Sequence, residues 1–178
     1  MRRDELRMRD LVLAALLMGM GVVLHAIFPG ILAGMKPDFS LIMLFVVIMV
    51  IPDRKIAVVA GIVTGLLTAF TTTFPMGQIP NIVDKLITTG VVMGLSTVVS
   101  KRLLVPVIGV AGTIVSGIIF LGTAALLTGL PASFGSLMVV VVLPAAAVNT
   151  AALLVLYPLA SKLYRLQEQR MGKAARIA

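Results

Sequence analysis

The chain alternates long apolar runs with short polar segments, a pattern that predicts helices crossing a lipid bilayer. The six apolar runs cover residues 11–28, 39–51, 56–73, 79–100, 103–130 and 137–161. Most approach or exceed the ~20 residues that a helix needs to span the hydrocarbon core. The run at 39–51 is shorter, so part of the preceding segment is expected at membrane depth. The whole chain, 1–178, is predicted to be one six-helix domain with polar ends at 1–10 and 162–178.

Composition and charge indicate that this domain lies in a membrane. Mean hydropathy is +1.13 and only 12% of residues are charged, about half the usual ~25% of a soluble domain. With six spans, all of the 15 basic residues except Lys36 and Lys85 fall on one side, and basic loops mark the cytoplasmic side. The sequence therefore predicts an all-α, multi-pass plasma-membrane protein with both termini cytoplasmic.

The same pattern argues against several other classes of protein. The net charge of +8 comes from loops between spans and not from basic patches interleaved with aromatic residues, so nucleic-acid binding is not predicted. With no cysteine and one histidine, the chain offers no transition-metal cage and no cofactor site is expected. It contains no zinc-protease motif, nucleophile elbow or phosphate-binding glycine loop, so it is not predicted to be an enzyme.

The residues 74–85 interrupt the apolar pattern in the middle of the chain. Two prolines and a glycine break the backbone there, and Asn81, Asp84, Lys85 and Thr88 then follow at i, i+3, i+4 and i+7. In a helix this spacing places all four side chains on one face. Ionisable groups in or beside a membrane span usually face a cavity and serve a function. The stretch is therefore predicted to form one wall of a solute-binding pocket.

Four charged residues are predicted on the outer side: Lys36, Asp38, Asp84 and Lys85. They could be interfacial ion pairs that anchor helix ends, since long basic side chains reach the interface readily. Alternatively they form a site for a zwitterion, whose ammonium would pair with Asp84 or Asp38 and whose carboxylate would pair with Lys36 or Lys85. Their clustering favours the site. Because Asp84 and Lys85 are adjacent and leave a helix about 100° apart, they are not expected to pair ideally with each other. Each is expected to have a partner elsewhere: Asp38 or the solute carboxylate for Lys85, and Lys36 or the solute ammonium for Asp84.

Two further polar residues leave alternatives open. His25, the one histidine, lies near the outer end of the first span. It could make a polar contact to a neighbouring loop or act functionally, because its charge changes near physiological pH. Asn149 follows Pro144 by five residues. It could compensate for the proline, join a neighbouring helix or reach the solute.

Small residues four apart recur in three predicted spans, as the pairs Ala15 and Gly19, Gly61 and Gly65, and Gly90 and Gly94. Small side chains at this spacing allow another helix to approach closely. The first pair could pack inside the protein or face a partner protein.

These motifs together resemble the bacterial tryptophan transport protein family, which is similar to the S-components, the substrate-binding subunits of energy-coupling factor (ECF) transporters. The resemblance rests on GMKPD at 34–38, TTFPMGQIPN at 72–81 with Asp84 and Lys85, and LPAA at 143–146 with Asn149 and Thr150. It runs in order along nearly the whole chain.

The resemblance implies a six-helix S-component-like fold with the solute near the outer face, covered by the first and third loops. It also implies docking to a membrane coupling subunit that is driven by two cytoplasmic ATPase subunits. S-components often carry Ala-x-x-x-Ala in the first span for that contact, and here the matching positions are Ala15 and Gly19. The chain has no Walker motif, so ATP would be used by a partner.

Tryptophan is the expected solute on this interpretation. Its indole is expected near Phe74, Phe39 or Phe28, where aromatic pairs add roughly 0.5–1.5 kcal/mol beyond burial. The expected acceptors for the indole N–H are Gln78, Asn81 or Asn149. Indole or a related aromatic solute is the alternative on the same residues.

Two other functions remain alternatives at this stage. A stand-alone proton-coupled transporter would use Asp84 or His25 to carry the proton, although the chain has no clear inverted repeat. A non-transport membrane scaffold would use the small-residue faces and bind no solute.

Overall fold

Six long helical segments make up the computed structural model, which describes residues 2–27 and 38–177 and, of these, the side chains in 8–27 and 38–170. The segments are α1 (Arg2–Ile27), α2 (Phe39–Val50), α3 (Arg54–Thr71), α4 (Gln78–Val98), α5 (Leu104–Leu127) and α6 (134–177). Each coincides with one of the apolar runs, and the described residues contain no strand. The all-helical architecture predicted from the sequence is confirmed.

The N-terminal end of α1 and the C-terminal end of α6 extend beyond the apolar runs. α1 begins at Arg2 and α6 continues to Ile177, because the polar ends are rich in Arg, Glu, Gln and Lys, which are good helix formers. The two helices meet where the Arg9 side chain donates to Tyr164 Oη over 3.0 Å. The Arg9 guanidinium also lies 4.8 Å from the centre of the Tyr164 ring, in range of a cation–π interaction.

Four of these helices are long and apolar enough to cross a membrane by length and composition: Met8–Ile27, Arg54–Thr71, Leu104–Leu127 and Phe134–Arg170. α2 is apolar but has only 12 residues, and α4 carries a polar buried face. The six-span topology and the cytoplasmic position of both termini remain predictions.

The core is organised around α2. Every residue from 39 to 47 is buried, as expected for a helix that is apolar on all sides. α1, α3, α4 and α6 all pack against it. Asp38 caps its first turn by accepting a hydrogen bond from the Leu41 N–H over 3.0 Å. α2 therefore has a fixed start and no face exposed to lipid over most of its length.

One-turn π-helical segments interrupt α5 at Ile108–Gly112 and α6 at Met138–Val142. The second precedes Pro144, which has no N–H to donate to the preceding turn. α6 continues through this proline as a helix. Such bulges change the direction in which following side chains point and are frequent at functional sites.

The small-residue pairs of α3 and α4 have different surroundings. A Cβ at Gly61 would overlap the Thr89 side chain, and one at Gly65 would lie 3.3 Å from Ile82 Cα, so this pair lets α3 and α4 pack closely. At Gly90 and Gly94 a Cβ would meet no atom within 4 Å. The α3 pair is thus an internal packing surface, whereas the α4 pair faces outward.

Gly61→Ala is expected to destabilise the protein. Overpacking typically lowers the free energy of unfolding by about 1–3 kcal/mol, whereas replacing a helical glycine by alanine raises it by at most ~1 kcal/mol. Thermal unfolding of the detergent-purified variant, with Gly90→Ala as the matched control, measures the difference. Gly90→Ala should be neutral or stabilising, and equal shifts in both variants would contradict the close α3–α4 contact.

Candidate substrate site

A cavity of about 380 Å³ opens among α3, α4, α5 and α6 next to the start of α2. This volume lies in the range of small-ligand pockets, ~300–1,000 Å³. Polar and aromatic side chains gather in its wall, including His25, Asp38, Phe74, Asn81, Asp84, Lys85, Thr113, Ser116, Phe120 and Asn149. The structure thus brings seven of the residues singled out in the sequence to one cavity.

The connection between α3 and α4 shapes one side of the cavity. The Gly77 N–H donates to the Phe74 carbonyl over 3.0 Å, and the Phe74 N–H donates to Thr72 Oγ1 over 3.2 Å. Met76 adopts a left-handed conformation with φ of 54°. A Cβ at Gly77 would lie 2.6 Å from Thr72 Oγ1, so this tight turn requires glycine. The turn holds Phe74 at the cavity wall.

Two phenylalanine rings form an aromatic corner of the cavity. Phe74 and Phe120 pack edge to face, with ring centres 5.2 Å apart and planes at 83°. Sequence analysis did not identify Phe120, because an isolated phenylalanine in an apolar run carries no local signal. Of the other rings expected at the indole, Phe39 is buried in the core and does not line this cavity, and Phe28 lies outside the described residues.

The polar face of α4 is buried as its spacing predicts, with Asn81, Asp84, Lys85 and Thr88 all inside the protein. Lys85 Nζ donates to Asp84 Oδ2 over 2.7 Å and to Asp38 Oδ2 over 3.3 Å. The expectation that the neighbouring Asp84 and Lys85 do not pair with each other is wrong. Both side chains are excluded from water, and the long lysine chain bends back to the nearest carboxylate. The contact between Lys85 and Asp38 agrees with the partner predicted for this lysine.

Asp84 is fixed by three donors. Besides Lys85, the Thr88 hydroxyl donates to Oδ1 and the Ser116 hydroxyl donates to Oδ2, each over 2.9 Å. The residue is only 1% exposed, and a buried charge is tolerated only when it is paired and hydrogen-bonded. Ser116 comes from α5, 32 positions along the chain, and no sequence spacing pointed to it.

Asp38, at the N-terminal end of α2, contacts residues of α1 and α6. Its backbone N–H donates to Asn149 Oδ1 over 3.0 Å, and His25 Nδ1 lies 4.0 Å from its Oδ1. The Asn149 amide also donates to Thr113 Oγ1 over 3.4 Å. Asn149 therefore ties α6 to α2 and α5, in agreement with the helix-joining alternative. The Asp38 side chain is 31% exposed, far more than that of Asp84.

The remaining predicted residues differ in position. Asn81 lines the cavity, and its Nδ2 donates to the Gly77 carbonyl over 2.8 Å. Its Oδ1 accepts no hydrogen bond from any described residue. Gln78 is exposed at the start of α4 and does not line this cavity. Lys36 lies outside the described residues. Ala15 and Gly19 are exposed on α1, away from the cavity.

Comparison with known proteins gives matches along most of the chain. The sequence model described as "Tryptophan transporter TrpP" matches residues 7–165. A "Probable tryptophan transport protein" of Bacillus subtilis (strain 168) is 43% identical over 163 residues, covering 90% of this chain and 95% of the relative. A protein of the same description from Clostridium acetobutylicum is 44% identical over 149 residues, covering 82% and 87%. One from Clostridium perfringens is 42% identical over 164 residues, covering 85% and 90%. No solved structure matches the chain.

Proposed function

Because the chain belongs to the TrpP family of tryptophan transporters, we propose that it is the substrate-binding subunit of an ECF-type importer and that it binds tryptophan. The family is one of transporters and not of enzymes. The observation that carries the proposal is the cavity that places an aromatic corner and a cluster of opposite charges within one wall. Such a site suits an aromatic solute that carries both an ammonium and a carboxylate.

The charge cluster provides the groups for the amino-acid end of tryptophan. Asp38 and Asp84 are the candidate partners of the ammonium, and Lys85 is a candidate partner of the carboxylate together with Lys36. Charge-assisted hydrogen bonds of this kind are roughly twice as strong as neutral ones. His25 Nδ1 lies 4.0 Å from Asp38 Oδ1, and His25 lines the same cavity.

The aromatic corner provides the surface for the indole. Phe74 and Phe120 present ring edges and faces at the cavity, and edge-to-face or offset contacts with an indole add about 0.5–1.5 kcal/mol each beyond burial. Apolar side chains of the α6 π segment, Val141 and Val142, line the same space.

Asn81 is the best placed of the three expected acceptors for the indole N–H. Its amide nitrogen is held by the Gly77 carbonyl, which fixes the amide and leaves Oδ1 for the solute. Asn149 Oδ1 already accepts the Asp38 N–H, and Gln78 lies outside the cavity wall. We therefore assign the indole acceptor to Asn81.

The outward face of α1 supports a docking role for Ala15 and Gly19. Both residues are exposed, and a Cβ at Gly19 would meet no atom within 4 Å. The inward face of α1 packs instead through Ala14, Leu17 and Met18. A coupling membrane subunit could approach this narrow face closely, and two cytoplasmic ATPase subunits would supply the energy because the sequence has no ATP-binding loop.

We place the protein in the plasma membrane with six spans and both termini cytoplasmic. This topology puts the α3–α4 turn and the start of α2, which border the cavity, on the outer side. Tryptophan would then enter from outside and bind beneath the first and third loops. The lipid bilayer would surround the exposed apolar faces of the helices.

Calorimetric titration of the detergent-purified chain with each of the twenty amino acids tests the proposal. Tryptophan is expected to bind at least about tenfold tighter than phenylalanine or tyrosine, a difference of about 1.4 kcal/mol. If no amino acid binds, the non-transport membrane scaffold is the remaining alternative. Tryptophan uptake by the purified chain alone in vesicles under a pH gradient would indicate a stand-alone transporter instead of a subunit.

Asn81→Leu is expected to abolish the preference of the protein for a ligand that carries the indole N–H over one that lacks it. The probe is 3-(benzothiophen-3-yl)alanine, in which sulfur replaces the N–H group. The parent should prefer tryptophan by about tenfold, since an unpaired buried polar group costs about 1–3 kcal/mol. The variant should bind both compounds equally by calorimetry. Gln78→Leu is the matched control and should retain the preference; a preference that survives in Asn81→Leu would reject the assignment.

Ala15→Leu and Gly19→Leu are each expected to weaken assembly with a coupling subunit about tenfold, or about 1.4 kcal/mol, because the larger side chain holds the partner helix away. Co-purification measures assembly, and calorimetry should give unchanged tryptophan binding. Gly94→Leu, which adds the same bulk to an open position on α4, is the control. Normal assembly of both α1 variants would exclude this face as the docking surface.

A further inference from the structure

We infer, on the basis of the proposed function, that the amino-acid zwitterion inserts between Lys85 and Asp38 and displaces the ion pair that joins them. Asp84 remains with Lys85 as its fixed counter-ion and does not bind the substrate. The site therefore suits a solute with both a free ammonium and a free carboxylate. When the site is empty, Lys85 and Asp38 pair with each other in place of these two solute groups.

The two ion pairs of Lys85 are unequal in length. Lys85 Nζ lies 2.7 Å from Asp84 Oδ2 but 3.3 Å from Asp38 Oδ2. Charge-assisted N–H···O hydrogen bonds are ordinarily about 2.7–2.9 Å long. The contact with Asp84 is thus a full hydrogen bond, whereas the contact with Asp38 is stretched and is the one that a competing carboxylate displaces more easily.

The two carboxylates also differ in what holds them. The Asp84 side chain is 1% exposed and accepts hydrogen bonds from Thr88 and Ser116 as well as from Lys85. Turning Asp84 toward a solute would break its three hydrogen bonds and remove a counter-ion from the buried Lys85. The Asp38 side chain is 31% exposed and gives one oxygen to the Leu41 N–H and the other to Lys85. Asp84 also borders the cavity, but Asp38 is the more exposed and less firmly held carboxylate, so it is the one that we assign to the solute ammonium.

Asp38 stays in place when Lys85 leaves it. Its backbone N–H is held by Asn149 Oδ1, and its side chain caps α2 through the Leu41 N–H. Lys85 has four flexible carbons and remains anchored to Asp84. A small movement of the ammonium group away from Asp38 then opens a gap bordered by a fixed anion on one side and a cation on the other.

The inserted zwitterion completes an alternating row of charges. The order becomes Asp84 (negative), Lys85 (positive), solute carboxylate (negative), solute ammonium (positive) and Asp38 (negative). Every charge then has opposite charges as its nearest neighbours, and the exchange changes no net charge. A solute with only one of the two groups breaks the Lys85–Asp38 pair and replaces only half of it. Either Lys85 keeps Asp84 alone or Asp38 loses its lysine partner, and losing one partner of a buried charge pair lowers the affinity.

Three ligands that share one indole test this on the parent protein without any substitution. L-Tryptophan carries both charges, tryptamine lacks the carboxylate and indole-3-propionate lacks the ammonium. By calorimetry we expect each single-charge analogue to bind at least about tenfold more weakly than tryptophan, since losing one partner of a buried charge pair commonly costs more than a factor of ten in affinity. Tryptamine or indole-3-propionate binding as tightly as tryptophan would overturn the inference while leaving tryptophan transport intact.

The Asp38→Asn variant tests the binding of the ammonium separately from the binding of the carboxylate. Asparagine caps a helix as well as aspartate, so the substitution removes the charge and keeps the start of α2. Tryptophan affinity should fall at least about tenfold. Indole-3-propionate affinity should stay the same or rise, because Lys85 no longer has Asp38 as a competing partner. A misfolded or merely destabilised protein would lose both ligands together.

Asp53→Asn is the matched control, because Asp53 caps α3 through the Lys55 N–H over 2.8 Å and does not line the cavity. It should leave the affinities of all three ligands unchanged. Equal loss of tryptophan and indole-3-propionate in Asp38→Asn, with a normal melting temperature, would make the Asp38–Lys85 pair purely structural. Failure of tryptophan to bind the parent at all would instead overturn the proposed function, and the inference with it. If Asp38→Asn does not fold, the parent's ligand series decides alone.

Discussion

The burial of one lysine charge constrains the interior of this protein. Lys85 is 2% exposed, and an ammonium group can be held there only if carboxylates surround it. This requirement brings together α4, which carries Lys85 and Asp84, and the start of α2, which carries Asp38. The need to satisfy Asp84 in turn draws in a hydroxyl from α5. The packing of helices around the cavity is therefore determined by polar contacts as much as by apolar surface.

Much of the fold was accessible from the sequence because it depends on local patterns. The apolar runs locate all six helices, and the i, i+3, i+4, i+7 spacing on α4 identifies a buried polar face. Pro75 and Gly77, which precede α4, indicate the turn that holds Phe74. Hydrophobicity and backbone restriction act within a few residues, so a single sequence displays them directly.

The contacts across helices were less accessible, because they depend on how distant segments pack. Phe120 and Ser116 sit in an apolar, glycine-rich run that offers no local reason to select them. The direct Asp84–Lys85 contact contradicts a rule derived for solvated helix surfaces, where water competes for both charges. Likewise, only the structure separates the internal glycine pair of α3 from the outward pair of α4. Identical sequence spacings thus lead to different surroundings.

The shortness of α2 has a consequence for the position of Asp38. A helix of 12 residues measures about 18 Å, well short of the ~30 Å hydrocarbon core. Because neighbouring helices surround α2 over most of its length, its extent is not set by the thickness of the bilayer. The length of α2 instead helps to fix where Asp38, directly before its first residue, lies relative to Lys85 on α4. One extra turn would shift that carboxylate by about 5.4 Å, beyond the reach of Lys85.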